Sequence, residues 1–399
     1  MLVDTVKMLK SEIKILLTGG GSGGHISVSK ALIDTLIEDY NIPIENIVYV
    51  GGDLGMEGEK IGNSLEQKQF KDSKFKTYFI RAGKLQRKFA FSTLTLLLRS
   101  ILGFFDSLHI LHKENPSIVI STGGFVSVPV CIIGNILGKR IYLHEQTASV
   151  GLANKIVSKF AKKIYVSFKE SIKYFDSTKT KHVGNILRKE IFRTEYNENT
   201  NEEIVQLITN RNKLPLIYIS GGSLGSHILN TKVLESLDIL LEFYRIILQT
   251  GDNEIFKDFD NAQNIKQSFP EGKKARFVVV SYLNKDDIGY VLNNMDIFVG
   301  RSGANTVYEL GVLKKHALLI PIPWVTHNEQ FLNAKVLKDI GLANILEEKY
   351  LKESNLKDEI ERLREQIRVR KIDIEKLDSL FPRNATTNML EDIFQDCSN

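Results

Sequence analysis

Leu17-Thr18-Gly19-Gly20-Gly21-Ser22-Gly23-Gly24-His25 closes a short apolar run (residues 13–17) and leads into a helix-like stretch beginning at Ile26. Glycines reach positive φ and let backbone amides approach an anion closely, and a following helix offers unpaired N–H groups with a partial positive charge. A Walker loop would end in Gly-Lys-Ser/Thr, whereas these glycines end in His25. The spacing Gly19-Gly20-Gly21-Ser22-Gly23-Gly24 satisfies G-x-G-x-x-G, but that pattern alone also fits a tight turn without ligand. A second turn, Ile219-Ser220-Gly221-Gly222-Ser223-Leu224-Gly225-Ser226, again stands between a strand pattern and a helix pattern, and Ser223 adds a hydroxyl donor. A third cluster, Thr122-Gly123-Gly124-Phe125-Val126-Ser127, follows another strand-like run.

Working outward, β-branched and aromatic runs recur at 46–50, 77–80, 118–121, 141–143 and 164–166 in the first half, and at 216–220, 244–248, 277–280, 297–299 and 317–320 in the second. Helical patterns separate them. Such alternation predicts α/β architecture with doubly wound parallel sheets, whose ligands sit at the carboxyl ends of strands. The 399 residues exceed what one core organises, so two domains are expected. Residues 1–187 form the first and 188–382 the second, with 383–399 crossing back onto the first.

A net charge of +5, from 53 basic and 48 acidic residues, is too mild for a nucleic-acid protein. Cys131 and Cys397 show no metal-ligand spacing, and Cys131 reads as a reduced, buried thiol suited to a reducing cytoplasm. The run 13–17 reads as a strand and not as part of a secretory signal. The most lipid-like stretch, 92–105, carries Arg99 and falls short of the ~20 apolar residues that span a bilayer. No zinc spacing and no G-x-S-x-G elbow occur. Asp258-Phe259-Asp260 has the D-x-D form some sugar-nucleotide enzymes use for Mg²⁺, but it and Asp286-Asp287 read as solvated surface, so no metal or cofactor is expected.

Polar clusters surround the glycine turns. Arg301-Ser302-Gly303-Ala304-Asn305-Thr306-Val307-Tyr308-Glu309 follows a strand and opens a helix, where the Glu309 carboxylate can accept both hydroxyls of a ribose. Gln330 and Asn333 lie one helical turn apart. His144-Glu145-Gln146-Thr147 ends another strand and reads as ligand-facing, and Arg188 after Gly184-Asn185 is a plausible phosphate partner.

Together these segments resemble, in order, the MurG family of bacterial transferases, which add N-acetylglucosamine to lipid-linked N-acetylmuramyl-pentapeptide (lipid I). The likeness runs from Ile13 to about Leu346 through 19–25, 122–129, 144–151 with Asn154, 184–188, 221–230, 301–309 and 330–334. It implies a GT-B glycosyltransferase fold, two Rossmann-like domains facing a cleft, with the donor UDP-GlcNAc mainly on the second. It further implies that Ser22, Gly23 and Gly24 line the diphosphate region, with His25 beside the reacting centre as catalytic base or as a group orienting the acceptor. Arg188 and Ser223 would contact the donor's phosphates or sugar, and the Leu283 backbone would read the uracil. Ala304, Asn305, Thr306, Val307, Tyr308 and Glu309 would wrap the nucleoside, and Gln330 would read the sugar.

Three departures stand out. Thr147 replaces the family's Asn, which bears on the donor or acceptor contact, while Val28 and Ile186 replace prolines and so bear on backbone stiffness. The resemblance implies inverting, metal-independent transfer to lipid I, giving lipid II for peptidoglycan synthesis at the cytoplasmic face of the plasma membrane. From Lys84 to Phe105 there is no acidic residue, four basic ones (Lys84, Arg87, Lys88, Arg99) and a Leu/Ile/Phe run, the composition of a peripheral contact with anionic membrane. Competing readings are a UDP-sugar transferase with another lipid or glycan acceptor, a UDP-GlcNAc 2-epimerase, a non-catalytic nucleotide-sugar-binding protein and, least favoured, a dehydrogenase that would leave the second turn idle.

Overall fold

The computed structural model describes residues 13–54, 62, 64–81, 91–210, 214–253, 255–324 and 328–398, apart from the side chains of 91–98. Two compact units divide the chain, one comprising Met1–Arg188 with Pro382–Asn399 and the other Lys189–Phe381.

In the first unit, β1 (Ile15–Gly19), β2 (Ile47–Gly52), β3 (Lys76–Ile80), β4 (Ile118–Gly123), β5 (Arg140–Glu145), β6 (Lys163–Val166) and β7 (Thr180–His182) form one sheet in the order β3-β2-β1-β4-β5-β6-β7. Every pairing is parallel. Strands covered on both faces need apolar side chains on both, which is why their sequences read as unbroken Ile/Val/Leu runs. Alternate residues then serve opposite layers. Ile15, Leu17, Ile118 and Ile120 face the helix Gly23–Glu38, while Leu16, Val119, Ile141 and Leu143 pack with Leu111, Val130 and Cys131 of the helices on the other side. Burial pushes the Cys131 thiol up to about 12, which makes it an inert core group.

The last helix, Ala385–Ser398, also belongs to this core. Its Met389, Leu390, Ile393 and Phe394 are buried in the layer of Ile15 and Leu17. Its outer carboxylates are anchored as well: Asp392 accepts from Lys163 and Tyr165 (both 2.8 Å), and Asp396 from Lys162 (2.9 Å).

The second unit repeats the plan with β8 (Leu216–Ser220), β9 (Arg245–Gln249), β10 (Phe277–Val280), β11 (Ile297–Gly300), β12 (His316–Leu319) and β13 (Ala343–Ile345), in the order β10-β9-β8-β11-β12-β13, all parallel. One face packs Ile217, Ile219, Leu248 and Val299 against Leu229, Val233 and Leu237 of the helix His227–Phe243, with Leu356, Ile360 and Leu363 beyond. In each sheet the connections wind outward in opposite directions from a central pair, β1/β4 or β8/β11. Ligands of open α/β sheets bind at such a point, beyond the carboxyl ends of the strands. Both glycine turns stand there.

The segment 84–105 lies partly outside the described residues, including Lys84, Arg87 and Lys88. Its later part belongs to the helix Phe91–Glu114. Arg99 is committed to Asp53 at 2.6 Å, so it is not a free basic group. Phe104 is half-buried, whereas Phe105 is 64% exposed.

Because the Phe394 ring fills the core of the first unit, Phe394→Ala should destabilise that unit by about 3–5 kcal/mol. The urea midpoint of its unfolding transition measures this, and an unchanged midpoint would contradict the docking of the last helix.

Candidate active site

In the first unit the turn after β1 is crowded at Gly19, Gly20 and Gly21, where a Cβ would lie 2.0 Å from Thr122 Oγ1, 2.0 Å from Glu66 Oε1 and 2.5 Å from the Phe125 ring, and the loop after β4 presses on it. A Cβ on Gly124 would lie 2.1 Å from the Gly20 carbonyl, and Gly124 has φ of 87°. Two amides of the turn are already used, Gly20 N donating to Gly123 O (3.2 Å) and Gly21 N to the buried Glu66 carboxylate (2.6 Å). Ser22 caps the helix, its hydroxyl accepting from His25 N at 3.5 Å. Gly23 and Gly24 occupy the first two helical positions, and among the described residues no acceptor is paired with their N–H groups. Unpaired N–H groups at a helix start carry a partial positive charge.

His25 is fixed by a neighbour 97 positions away. Its Nδ1 lies 2.7 Å from Thr122 O, and a carbonyl only accepts, so Nδ1 carries the proton and Nε2 keeps its lone pair. Gln146 Nε2 donates to the same carbonyl at 2.9 Å. Burial lowers the His25 pKa below 6.5, against a smaller upward push from the Thr122 carbonyl, and so keeps the ring neutral. Gly123 has no room for a side chain, because the His25 ring and the Asn154 amide both close on it at under 3 Å.

The cluster after β5 proves to be largely internal, contrary to the ligand-facing expectation. His144 is fully buried and donates from Nε2 to Gly184 O at 3.1 Å, and burial pulls its pKa down to about 4. Glu145, with its pKa raised by burial, accepts from Thr147 N (2.9 Å), the Thr147 hydroxyl (2.8 Å) and Asn154 Nδ2 (2.8 Å). Thr147 is half-buried, and its hydroxyl proton serves its own loop. Ile186 N donates to Asn185 Oδ1 at 3.0 Å, a bond that the proline it replaces could not make. Val28 is fully buried in the sheet core. Arg188, half-buried, ends the first unit.

In the second unit the turn after β8 is braced from three sides. Ser220 Oγ accepts from Gly222 N (3.1 Å), and Gln249 Nε2 donates to Gly222 O (3.2 Å). Gly225, with φ of 74°, would place a Cβ 1.9 Å from Thr250 O. Arg301, 4% exposed, joins the turn to its neighbours by donating to Ser226 Oγ (2.7 Å), to Ile320 O (3.0 Å) and to the buried Glu348 carboxylate. Ser223 is exposed at the tip. Gln249 Oε1 accepts from Leu283 N at 3.2 Å, so any base contact by the Leu283 backbone falls to its carbonyl.

Gln330 Oε1 accepts from Ser302 N (3.3 Å) and Ile322 N (3.2 Å). That fixes the amide and leaves Nε2 without an acceptor among the described residues. Asn333 Nδ2 supports it by donating to Ser302 O at 3.3 Å. In the helix Ala304–Val312, Ala304, Asn305 and Thr306 are half-buried. Val307 and Tyr308 are fully buried, Tyr308 with its ring edge-on to Phe381, so neither side chain can wrap a nucleoside. Glu309 is 8% exposed.

Asp258 and Asp287 are not solvated surface. Asp258 accepts from His227 Nδ1 (2.7 Å) and Asn230 Nδ2 (2.8 Å), and Asp287 from Asn201 N (2.8 Å). With both oxygens occupied, Asp258 is not arranged to hold a metal. No group of three His, Cys, Asp or Glu side chains among the described residues could do so either.

Residues 15–166 match the glycosyltransferase family 28 N-terminal domain and 216–382 its C-terminal domain. The UDP-N-acetylglucosamine–N-acetylmuramyl-(pentapeptide) pyrophosphoryl-undecaprenol N-acetylglucosamine transferase of Clostridium novyi (strain NT) is 32% identical over 88% of this chain and 91% of its own length. Its counterpart in Staphylococcus aureus (strain MRSA252) is 34% identical over the same shares. Among solved structures, Acinetobacter baumannii MurG aligns with a TM-score of 0.65 at 20% identity, covering 96% of this chain and 99% of that one. UDP-GlcNAc 2-epimerase from Neisseria meningitidis bound to UDP-GlcNAc aligns at 0.59 and 12%, covering 96% and 100%. These structures share the GT-B fold.

Glu348→Ala would leave the Arg301 guanidinium buried without its counter-charge. A loss of about 3–5 kcal/mol is expected in the unfolding of the second unit. A change below about 1 kcal/mol would mean that the pair does not brace the turn.

Proposed function

This chain belongs to the MurG family within glycosyltransferase family 28, and on that premise we propose that it transfers N-acetylglucosamine from UDP-GlcNAc to lipid I, forming lipid II. The observation that carries the reading is the 32–34% identity over 88% of the chain to transferases bearing that activity in their names. The fold alone would not decide, since epimerases share it.

In this reading the second unit holds the donor through Ser223, the Leu283 backbone, Ala304, Asn305, Thr306, Glu309 and Gln330, and Arg188 adds a cation. The acceptor's sugar oxygen bonds to the anomeric carbon as the bond from that carbon to the diphosphate breaks. UDP leaves with the electron pair, and the acceptor's proton passes to His25 Nε2. The Thr122 carbonyl supports this role, because it holds the proton on Nδ1 and aligns the free nitrogen. The N-terminal end of the helix His227–Phe243 and Arg188 stabilise charge on the departing diphosphate, so no metal is needed.

A lipid-linked acceptor calls for membrane contact at the cytoplasmic face. No helix among the described residues is long and apolar enough to cross a membrane. Ile101 (49%), Phe105 (64%) and Leu108 (42%) are exposed at helical spacing on Phe91–Glu114, and Ile136 and Leu152 are exposed on the next two helices of the unit. An exposed apolar stripe of this kind suits insertion at a membrane interface.

Turnover of UDP-GlcNAc with a lipid I analogue, undiminished by EDTA, is the expected result, and no transfer to that acceptor would sink the reading. His25→Ala should lower kcat by about 10²–10⁴. Since the folded-state pKa of His25 is depressed, its base form persists as pH falls through 6.5. The acid limb of the wild-type kcat/KM profile should therefore lie below 6.5 and vanish in the variant; near wild-type kcat in the variant would remove His25 as the base. Separately, the Ile101→Asp, Phe105→Asp double variant should lose binding to phosphatidylglycerol vesicles while still binding UDP, and undiminished vesicle binding would refute the membrane contact.

A further inference from the structure

His227 opens the helix His227–Phe243 directly behind the second glycine turn, and its ring is held more firmly than an exposed histidine requires. Nδ1 donates to Asp258 Oδ1 at 2.7 Å. Asp258 is 4% exposed, and its other oxygen accepts from Asn230 Nδ2 at 2.8 Å. That same amide donates to Thr250 O (2.9 Å), the carbonyl against which Gly225 of the turn is pressed. The ring also lies flat on Phe256, with centroids 3.9 Å apart and planes 8° from parallel. Carboxylate, amide and aromatic platform thus fix the ring in position and in tautomer, as the orienting acid does in a catalytic triad. What remains is Nε2, which has no partner among the described residues.

A buried carboxylate spent on orienting one imidazole makes sense where the far nitrogen has work to do. The residues beside His227 in sequence are those of the turn, where Ser226 Oγ is already taken by Arg301 and Ser223 stands at the exposed tip. In its cationic form the ring adds an N–H donor and a positive charge at the end of the helix whose dipole already favours an anion.

We propose that His227 is a further donor-binding residue, giving Nε2–H to a phosphate oxygen of the bound nucleoside diphosphate, with Asp258 as its positioning residue. The proposal rests on the UDP-sugar reading and adds to it a contact that neither glycine turn supplies. It also gives Asp258 a role: its carboxylate fixes the ring that reaches the phosphate.

The test compares UDP with uridine, which lacks the diphosphate, by isothermal titration calorimetry on the full chain. His227→Ala is expected to weaken UDP about tenfold, with uridine affinity unchanged. His227→Arg, which keeps a cationic donor, should recover most of the UDP affinity, and Asp258→Asn should show a smaller loss confined to UDP. His227→Gln keeps the side-chain volume without the cation and should behave as His227→Ala, which guards against a folding defect. Unchanged UDP affinity in both His227→Ala and His227→Gln, or equal weakening of UDP and uridine, would overturn the proposal while leaving the donor site intact. Failure of the unsubstituted protein to bind UDP would instead refute the UDP-sugar reading, and this contact with it.

Discussion

A parallel sheet wound in both directions from its middle cannot cover the carboxyl ends of its two central strands, and that uncovered point governs both units. At β1/β4 and again at β8/β11 the connections depart to opposite sides, so the backbone must turn sharply into a helix. Glycine is required where that turn meets its neighbour: Gly124 against Gly20 O in one unit, Gly225 against Thr250 O in the other. The helix that follows presents its unpaired amides to the same point. An anion-binding position is therefore a consequence of the topology, and the side chains around it decide which anion and which chemistry.

The two units use that shared position differently. In the first, Glu66 and Gly123 consume amides of the turn, and beside them stands a neutral imidazole whose Nδ1 proton is donated to the Thr122 carbonyl. In the second, the turn is braced by Arg301, Gln249 and Ser220, and the groups left over are donors: the Ser223 hydroxyl, the Gln330 amide and the helix end.

Much of the sheet framework was legible in the sequence, because a strand buried on both faces must be apolar along its whole length. β7 (Thr180–His182) and β13 (Ala343–Ile345) escaped notice for the same reason. Each is a three-residue edge strand with a single neighbour, too short and too polar to make a run. The glycine turns and the residues near them could be picked out by type, but not their partners. His25 depends on Thr122 and Arg301 on Glu348, pairs separated by 97 and 47 positions that no local pattern connects. The resemblance assigned the whole run from Ala304 to Glu309 to the nucleoside, but successive helical positions face different ways, and the Val307 and Tyr308 side chains go into the core.

Asp258 shows most clearly why local charge misleads. Set among Lys257, Asp260 and Asn261 it reads as solvated, yet the start of its helix turns it inward onto His227 and Asn230. A carboxylate taken out of water costs free energy unless its oxygens are met by donors, and both are met. Thr147 follows the same logic from the other direction. Where the family places an amide, this chain has a hydroxyl within hydrogen-bond reach of the Ser149 carbonyl and of the buried Glu145, itself held by Asn154 beside the His25 ring. The substitution therefore keeps Glu145 supplied with donors.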